Sequence, residues 1–224
     1  MLTLIGTPIG NLQDISPRAI EALKEADIIA CEDTRRARIL LTHFGITGKR
    51  LLAHHSANEQ KSAPGLVKLM QNGQTLAYIS DGGMPTISDP GYCLVTATYD
   101  ANLAVNVVGG ITAEATAVAA SGLPVSRRIF AGFLPKSGTA QTAYLESFFA
   151  QDLATALVFY EAPHRILKTL KNIEKLAPNA PCFVARELTK MHEEFYRGTV
   201  ASVSAELALL PAIKGEITVV LAKV

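Results

Sequence analysis

The strongest constraint on how this chain folds is a repeating order in its first half: a short apolar run, a glycine-rich break, then an amphipathic stretch. Leu2–Ile5, Asp27–Cys31, Thr75–Ile79 and Leu103–Val108 are apolar runs of strand length. Between them, helical spacing predicts helices after Ser16-Pro17, over Thr34–Phe44, over Asn58–Gln71 and over Pro90–Tyr99. Ser16 is a good N-cap, and Pro17 stands at the first helical position, where its missing N–H costs nothing. Strands alternating with helices predict an α/β fold with a mostly parallel, doubly wound sheet.

The second half has a different rhythm. Thr112–Ser121 reads as a small-residue helix closed by Gly122-Leu123-Pro124. Candidate strands are Ile129–Phe133, Thr155–Tyr160, Cys182–Arg186, Glu194–Thr199 and Glu216–Ala222, with helices near Gln141–Ala150, His164–Leu176 and Ser202–Leu209. The last strands are separated by a short helix or a turn, which predicts a mixed sheet. Two α/β domains are expected, residues 1–115 and 116–224, with the boundary in the helix that joins the halves.

Three glycine-bearing loops each follow a predicted strand: Gly6-Thr7-Pro8-Ile9-Gly10-Asn11, Ser80-Asp81-Gly82-Gly83-Met84-Pro85 and Gly109-Gly110-Ile111-Thr112. In open α/β sheets ligands sit beyond the carboxyl ends of the strands, and glycine lets backbone amides approach them. The first loop lacks the G-x-G-x-x-G dinucleotide fingerprint and the phosphate loop of nucleotide hydrolases. Nicotinamide enzymes and phosphate-loop kinases are therefore poor readings, as is a serine hydrolase without a G-x-S-x-G elbow.

Charged clusters form a second signal at strand ends: Glu32-Asp33-Thr34-Arg35, Tyr160-Glu161-Ala162-Pro163-His164-Arg165 and Ala185-Arg186-Glu187-Leu188-Thr189-Lys190. Each is placed to line a cleft, although a capped, solvated loop explains any one of them alone. His54-His55 are neighbours whose side chains point apart, and His192-Glu193-Glu194 is not a zinc-protease motif, so no metal site is expected. Cys31, Cys93 and Cys182 are too dispersed for a metal knuckle or a disulfide framework and read as buried thiols. The net charge of +1 leaves any nucleic-acid footprint to local clusters such as Thr34–Arg38 and Ser126–Arg128. No apolar run approaches membrane-helix length, and the chain enters a strand at Leu2 without a basic leader; the expectation is a soluble, cytoplasmic protein.

Seven motifs, in order along nearly the whole chain, resemble the ribosomal RNA small subunit methyltransferase I family of the tetrapyrrole methylase superfamily. They are Leu4–Leu12 with Asp14-Ile15, Ala30–Arg35, Ser88–Tyr92, Ser121–Pro124, Gly132–Pro135, Phe159–Arg165 and Ala185–Lys190. The resemblance implies two α/β domains with S-adenosylmethionine in the cleft between them, a homodimer, and 2′-O-methylation of a cytidine in 16S rRNA or the 30S subunit. Carried over by position, donor contacts fall at Pro8, Ile9, Gly83, Met84, Ile87, Thr112 and Ala113, with Tyr160, Glu216 and Ile217 from the second half.

For the chemistry, the same motifs nominate Glu187 as proton acceptor, Lys190 and Arg35 as phosphate-holding groups, and Glu32 or Asp33 in orienting roles. Methyl transfer from a sulfonium needs no metal. The chain departs from the family pattern at Gly82 and Met84, at Gly109–Ile111 and within His54–Glu59, and it stops after Glu216–Ala222 where members often continue into a small helical extension. Two alternatives stand beside this reading: a methyltransferase acting on a porphyrinoid or other small molecule, and a non-catalytic RNA-binding relative.

Overall fold

The computed structural model describes residues 1–151 and 154–223, which divide into two compact units, Met1–Thr112 and Ala113–Val224. The first unit runs β1 (Leu2–Ile5), a short 3-10 turn (Leu12–Asp14), α1 (Pro17–Glu25), β2 (Ile28–Cys31), α2 (Thr34–His43), β3 (Arg50–Ala53), α3 (Glu59–Gln71), β4 (Leu76–Ile79), α4 (Tyr92–Asp100) and β5 (Val105–Val108). Its strands form one all-parallel sheet in the order β3-β2-β4-β1-β5.

Successive strand residues point to opposite faces, and here both faces are covered, so the central strands are buried and, apart from Thr3, made of apolar and aromatic residues. Ile5, Ile29, Cys31, Ala77, Ile79 and Val108 meet Ala19 and Leu23 of α1 and Ala37 and Leu41 of α2. Leu2, Leu4, Ile28, Ala30, Leu76 and Tyr78 meet Ala63, Leu66, Val67 and Met70 of α3 and Leu94 of α4. Ser16 caps α1 by accepting the Ala19 amide, with Pro17 at the first position; Asp33 caps α2 by accepting the Arg35 amide. The expected helix over Asn58–Gln71 forms despite Pro64 inside it. β3, at the sheet edge, had no counterpart among the predicted strands: Arg50–Ala53 is only half-buried to exposed, and its apolar run is the short Leu51–Ala53.

The second unit runs α5 (Ala113–Ser121), β6 (Arg128–Phe133), α6 (Gly138–Ala150), β7 (Ala156–Glu161), α7 (Ile166–Leu176), β8 (Pro181–Arg186), β9 (Glu194–Thr199), α8 (Val200–Ala208) and β10 (Ile217–Ala222). The sheet order is β6-β7-β10-β8-β9, with β6 parallel to β7 and the other pairs antiparallel: a mixed sheet, as expected. One face carries the main core, where Leu157, Phe159, Ile217, Val219 and Leu221 pack with Leu145, Ile166, Leu170, Ile173 and Val203. Thr199 and Ser202 form a reciprocal capping box at the start of α8.

Candidate active site

The strand order gives the three glycine loops a common location. β4, β1 and β5 are neighbours in a parallel sheet, so the loops after Ile79, Ile5 and Val108 leave the same edge side by side. They are laced together by backbone. The Thr7 amide donates to the Gly83 carbonyl and the Gly83 amide to the Thr7 carbonyl, both at 2.9 Å, and the Gly6 amide donates to the Val108 carbonyl at 2.9 Å. Gly6 and Gly110 touch backbone to backbone: a Cβ on Gly6 would lie 2.6 Å from the Gly110 Cα and N and 2.7 Å from the Met84 sulfur.

Two features of this cluster fit a small ligand held largely by backbone. A Cβ added at Gly109 would meet nothing within 4 Å, and the buried Ser80 hydroxyl has no hydrogen-bond partner. An orphaned buried hydroxyl is uncommon and marks a place where a partner belongs. Thr86 and Ser88 take left-handed backbone (φ 71° and 62°) in the loop that carries Met84 and Ile87. Such strain concentrates where a loop shape is needed for function. Pro8, Ile9, Gly83, Met84, Ile87 and Thr112 all lie in these three loops, and Ala113 opens α5.

The charged loop after β2 is tied to the β4 loop. The Asp33 amide donates to the Asp81 carboxylate at 3.1 Å, and Arg36 reaches the other Asp81 oxygen at 3.1 Å. Glu32 is half-buried; burial and the nearby Asp81 charge raise its pKa above the ordinary carboxylate value, against the opposing pull of the Asp81 amide, Arg36 and His55. Arg35 pairs with Asp33 at 2.7 Å but is 86% exposed, so it remains open to an incoming anion. The Arg35 side-chain and backbone hydrogen bonds hold the Asp33 carboxyl well below its usual range.

In the second unit Glu187, Lys190 and Glu216 form one cluster. Lys190 Nζ lies 2.8 Å from Glu187 and 3.0 Å from Glu216, and the Glu216 amide donates to Glu187 at 2.8 Å. Burial pushes the Glu187 pKa up, but Lys190, the Glu216 amide and Arg186 outweigh it and leave the pKa below the ordinary value. The Glu187 carboxylate folds against Gly215, where a Cβ would meet its Cγ at 2.4 Å. Glu187 and Thr189 both have left-handed backbone (φ 53° and 64°). Ile217 begins β10 next to Glu216, paired with Glu161 on one side and Arg186 on the other.

Glu161 and Arg165 in the Tyr160–Arg165 motif turn inward. The fully buried Glu161 carboxylate accepts from Arg165 (3.2 Å), Thr169 (2.6 Å) and the Ala162 amide (2.8 Å). Arg165 also donates to the carbonyls of Leu134 and Pro135, at 3.2 and 3.1 Å. This clamp was not visible in the sequence, where the cluster reads as lining a cleft or as a capped, solvated loop. Tyr160 itself is half-buried beside Phe130 and Phe133.

His54 and His55 do separate. His54 is fully buried, with Nδ1 2.7 Å from the Ser62 hydroxyl, while half-buried His55 presents its amide to Asn58. Burial lowers the His54 pKa from 6.5, against the raising influence of Glu59. The sign follows: below 6.5 the unfolded chain takes up a proton that the folded chain refuses, so stability holds above that pH and is lost as pH falls through the lowered folded value. Thermal melts from neutral to mildly acidic pH should show this slope, and His54→Gln should flatten it; an unchanged slope removes His54 as its source.

Cys31 and Cys182 are buried, and burial pushes both thiols up to about 12. Cys93 differs from expectation in being only half-buried. Among the described residues no group of three His, Cys, Asp or Glu is placed to hold a metal ion, and no helix is long and apolar enough to cross a membrane.

Comparison with known proteins accounts for these loops as one set. Residues 1–204 match the family of Tetrapyrrole (Corrin/Porphyrin) Methylases. The chain is 43% identical to the ribosomal RNA small subunit methyltransferase I of Hydrogenobaculum sp. (strain Y04AAS1), over 99% of this chain and 95% of that protein. It is 42% identical to the protein of the same name from Thermotoga maritima, over 98% and 97%. Among solved structures, the methyltransferase CobJ aligns with a TM-score of 0.70 at 20% identity, over 98% of this chain and 92% of that one. Uroporphyrin-III C-methyltransferase from Thermus thermophilus, complexed with S-adenosylhomocysteine, aligns with a TM-score of 0.65 at 16% identity, over 98% and 96%. These two likenesses establish the fold, and the close relatives establish the branch. With its glycine loops side by side on a parallel sheet and its motifs matched end to end, the chain belongs to the ribosomal RNA small subunit methyltransferase I family of the tetrapyrrole methylases.

Proposed function

We propose that this chain transfers the methyl group of S-adenosylmethionine to the 2′-hydroxyl of a cytidine in 16S rRNA, acting in the cytoplasm as a homodimer on the RNA or the 30S subunit. The observation that carries the reading is the identity above 40% to relatives named ribosomal RNA small subunit methyltransferase I over almost the whole chain. The backbone-laced loops of β1, β4 and β5 support it as a cradle for the donor. In this assignment Pro8, Ile9, Gly83, Met84, Ile87, Thr112 and Ala113 contact the donor, together with Tyr160, Glu216 and Ile217.

The bound donor supplies an electrophilic methyl on a positively charged sulfur, and holding the nucleophile in line with it provides much of the acceleration. Glu187 serves as proton acceptor for the ribose hydroxyl, and the ion pair with Lys190 at 2.8 Å holds its carboxylate in place. Lys190 and the exposed Arg35 hold RNA phosphates, and Glu32 and Asp33 orient the loop that presents Arg35.

Titration calorimetry with S-adenosylmethionine, followed by methylation of 30S subunits mapped by primer extension, tests the reading. Donor binding near one site per subunit and a ribose methyl on 16S rRNA are expected; failure to bind the donor overturns it. Glu187→Gln should slow methyl transfer by on the order of a hundredfold or more while donor affinity changes little. Equal loss of both would make Glu187 a structural residue.

A further inference from the structure

The Gly132–Pro135 motif has no part in donor binding or proton transfer as assigned above, yet the structure gives it an unusual local geometry. β6 is the edge strand of the second unit's sheet and pairs in parallel with β7. Ile129 pairs with Leu157 and Phe130 with Val158, but Phe133 pairs with Tyr160. Three steps along β6 therefore match two along β7, a one-residue bulge. Gly132, at φ 59°, supplies the left-handed residue such a bulge uses.

The bulge changes the side on which Phe133 lies. In regular pairing, side chains alternate, so Ile129, Ala131 and Phe133 would share one face. Ile129 and Ala131 do pack against the main core with Leu157 and Phe159. Phe133 instead joins the face of Phe130 and Tyr160. The ring centroids of Phe130 and Phe133 lie 5.1 and 5.7 Å from that of Tyr160, each in an edge-on arrangement. The outermost ring, Phe133, is 58% exposed. The segment behind it is fixed, because Leu134 is buried and Arg165 holds the Leu134 and Pro135 carbonyls. Lys136, three residues on, is exposed and adds positive charge.

A solvent-facing phenyl ring packed on Tyr160, which Phe130 packs against in turn, with a cation three residues along the chain, has the chemistry of a stacking platform for a single-stranded base. We infer that Phe133, backed by Tyr160 and Phe130, stacks a nucleobase of the RNA substrate. The inference rests on the proposed RNA reading and extends it to a residue that grips the substrate. The same π-face would also suit the adenine of the donor, or apolar contact with a second copy of the chain, and the test separates these.

The experiment uses the full chain with Phe133→Ala and the conservative Phe133→Trp. Loss of one stacked base costs about 1–3 kcal/mol, so Phe133→Ala should raise the KM for 30S subunits roughly 5- to 150-fold, with kcat and donor affinity unchanged. Phe133→Trp should restore the wild-type KM. In parallel, binding of a short single-stranded oligoribonucleotide should weaken with Phe133→Ala and recover with Phe133→Trp. Weakened donor binding would assign the ring to the adenine, and an altered oligomeric state would assign it to a second copy; either result overturns the inference. So does an unchanged KM in an active enzyme. If the wild type methylates no RNA, the functional reading fails on its own, and the oligoribonucleotide arm still decides the platform.

Discussion

Replacing Glu161 with alanine should destabilise the protein by about 3–5 kcal/mol, because it strips the partner from a largely buried guanidinium. The Glu161 carboxylate holds Arg165, Thr169 and the Ala162 amide. Thr169 in turn accepts from Gln141 at 3.2 Å, and Asn172 donates to Gln141 at 2.8 Å, so the loss propagates across α6 and α7. Glu161→Gln keeps an acceptor for Thr169 but loses the negative charge that faces Arg165, and should cost about 1–3 kcal/mol. Urea denaturation of the two variants measures both values. A loss below about 1 kcal/mol for the alanine variant would place the pair among solvent-screened surface ion pairs and refute the clamp.

The second large effect is expected at Gly6. A methyl group there would overlap the Gly110 backbone at 2.6 Å, and neither strand can yield, since the Gly6 amide is bonded to the Val108 carbonyl. Overpacking of this kind costs about 1–3 kcal/mol. Gly6→Ala should therefore lower the melting temperature without ligand. It should also weaken S-adenosylmethionine binding by on the order of tenfold, a change of about 1.4 kcal/mol, by spreading the β1 and β5 loops. Gly109→Ala is the control, because its Cβ would enter open space and leave stability unchanged. If both variants melt alike, the close approach of the two loops is not what sets their geometry.

Much of the fold was legible because burial on both faces writes a parallel strand as a nearly continuous apolar run, as in Leu2–Ile5, Ile28–Cys31 and Leu76–Ile79. β3 escaped because its apolar run, Leu51–Ala53, is short and an edge strand is buried only in part. The glycine loops could be read as ligand loops from composition and position, but that three of them lie side by side follows from strand order, which no local pattern encodes. The individual donor contacts came from family resemblance, not from residue chemistry. Glu161 and Arg165 were placed at a cleft and not in a core for a physical reason: charge is usually solvated, and it takes the burial of Glu161 and the long-range bonds of Arg165 to the Leu134 and Pro135 carbonyls to show that this pair faces inward. The bulge at Gly132 was equally silent, since one glycine within an apolar run does not announce which face the next aromatic will take.

The place of β10 has a consequence for how the molecule is made. The first unit has all five of its strands once the chain has reached Val108. In the second unit Ile217–Ala222 is the middle strand, and β7 and β8 meet only through it. Chain growth therefore delivers two halves with opposite schedules: one can close while synthesis continues, and the other keeps β7 and β8 without their shared partner until its keystone strand emerges. The interval between these events is when the unfinished sheet is most open to wrong pairings, and protection by a chaperone or by early docking would matter most for residues 156–186.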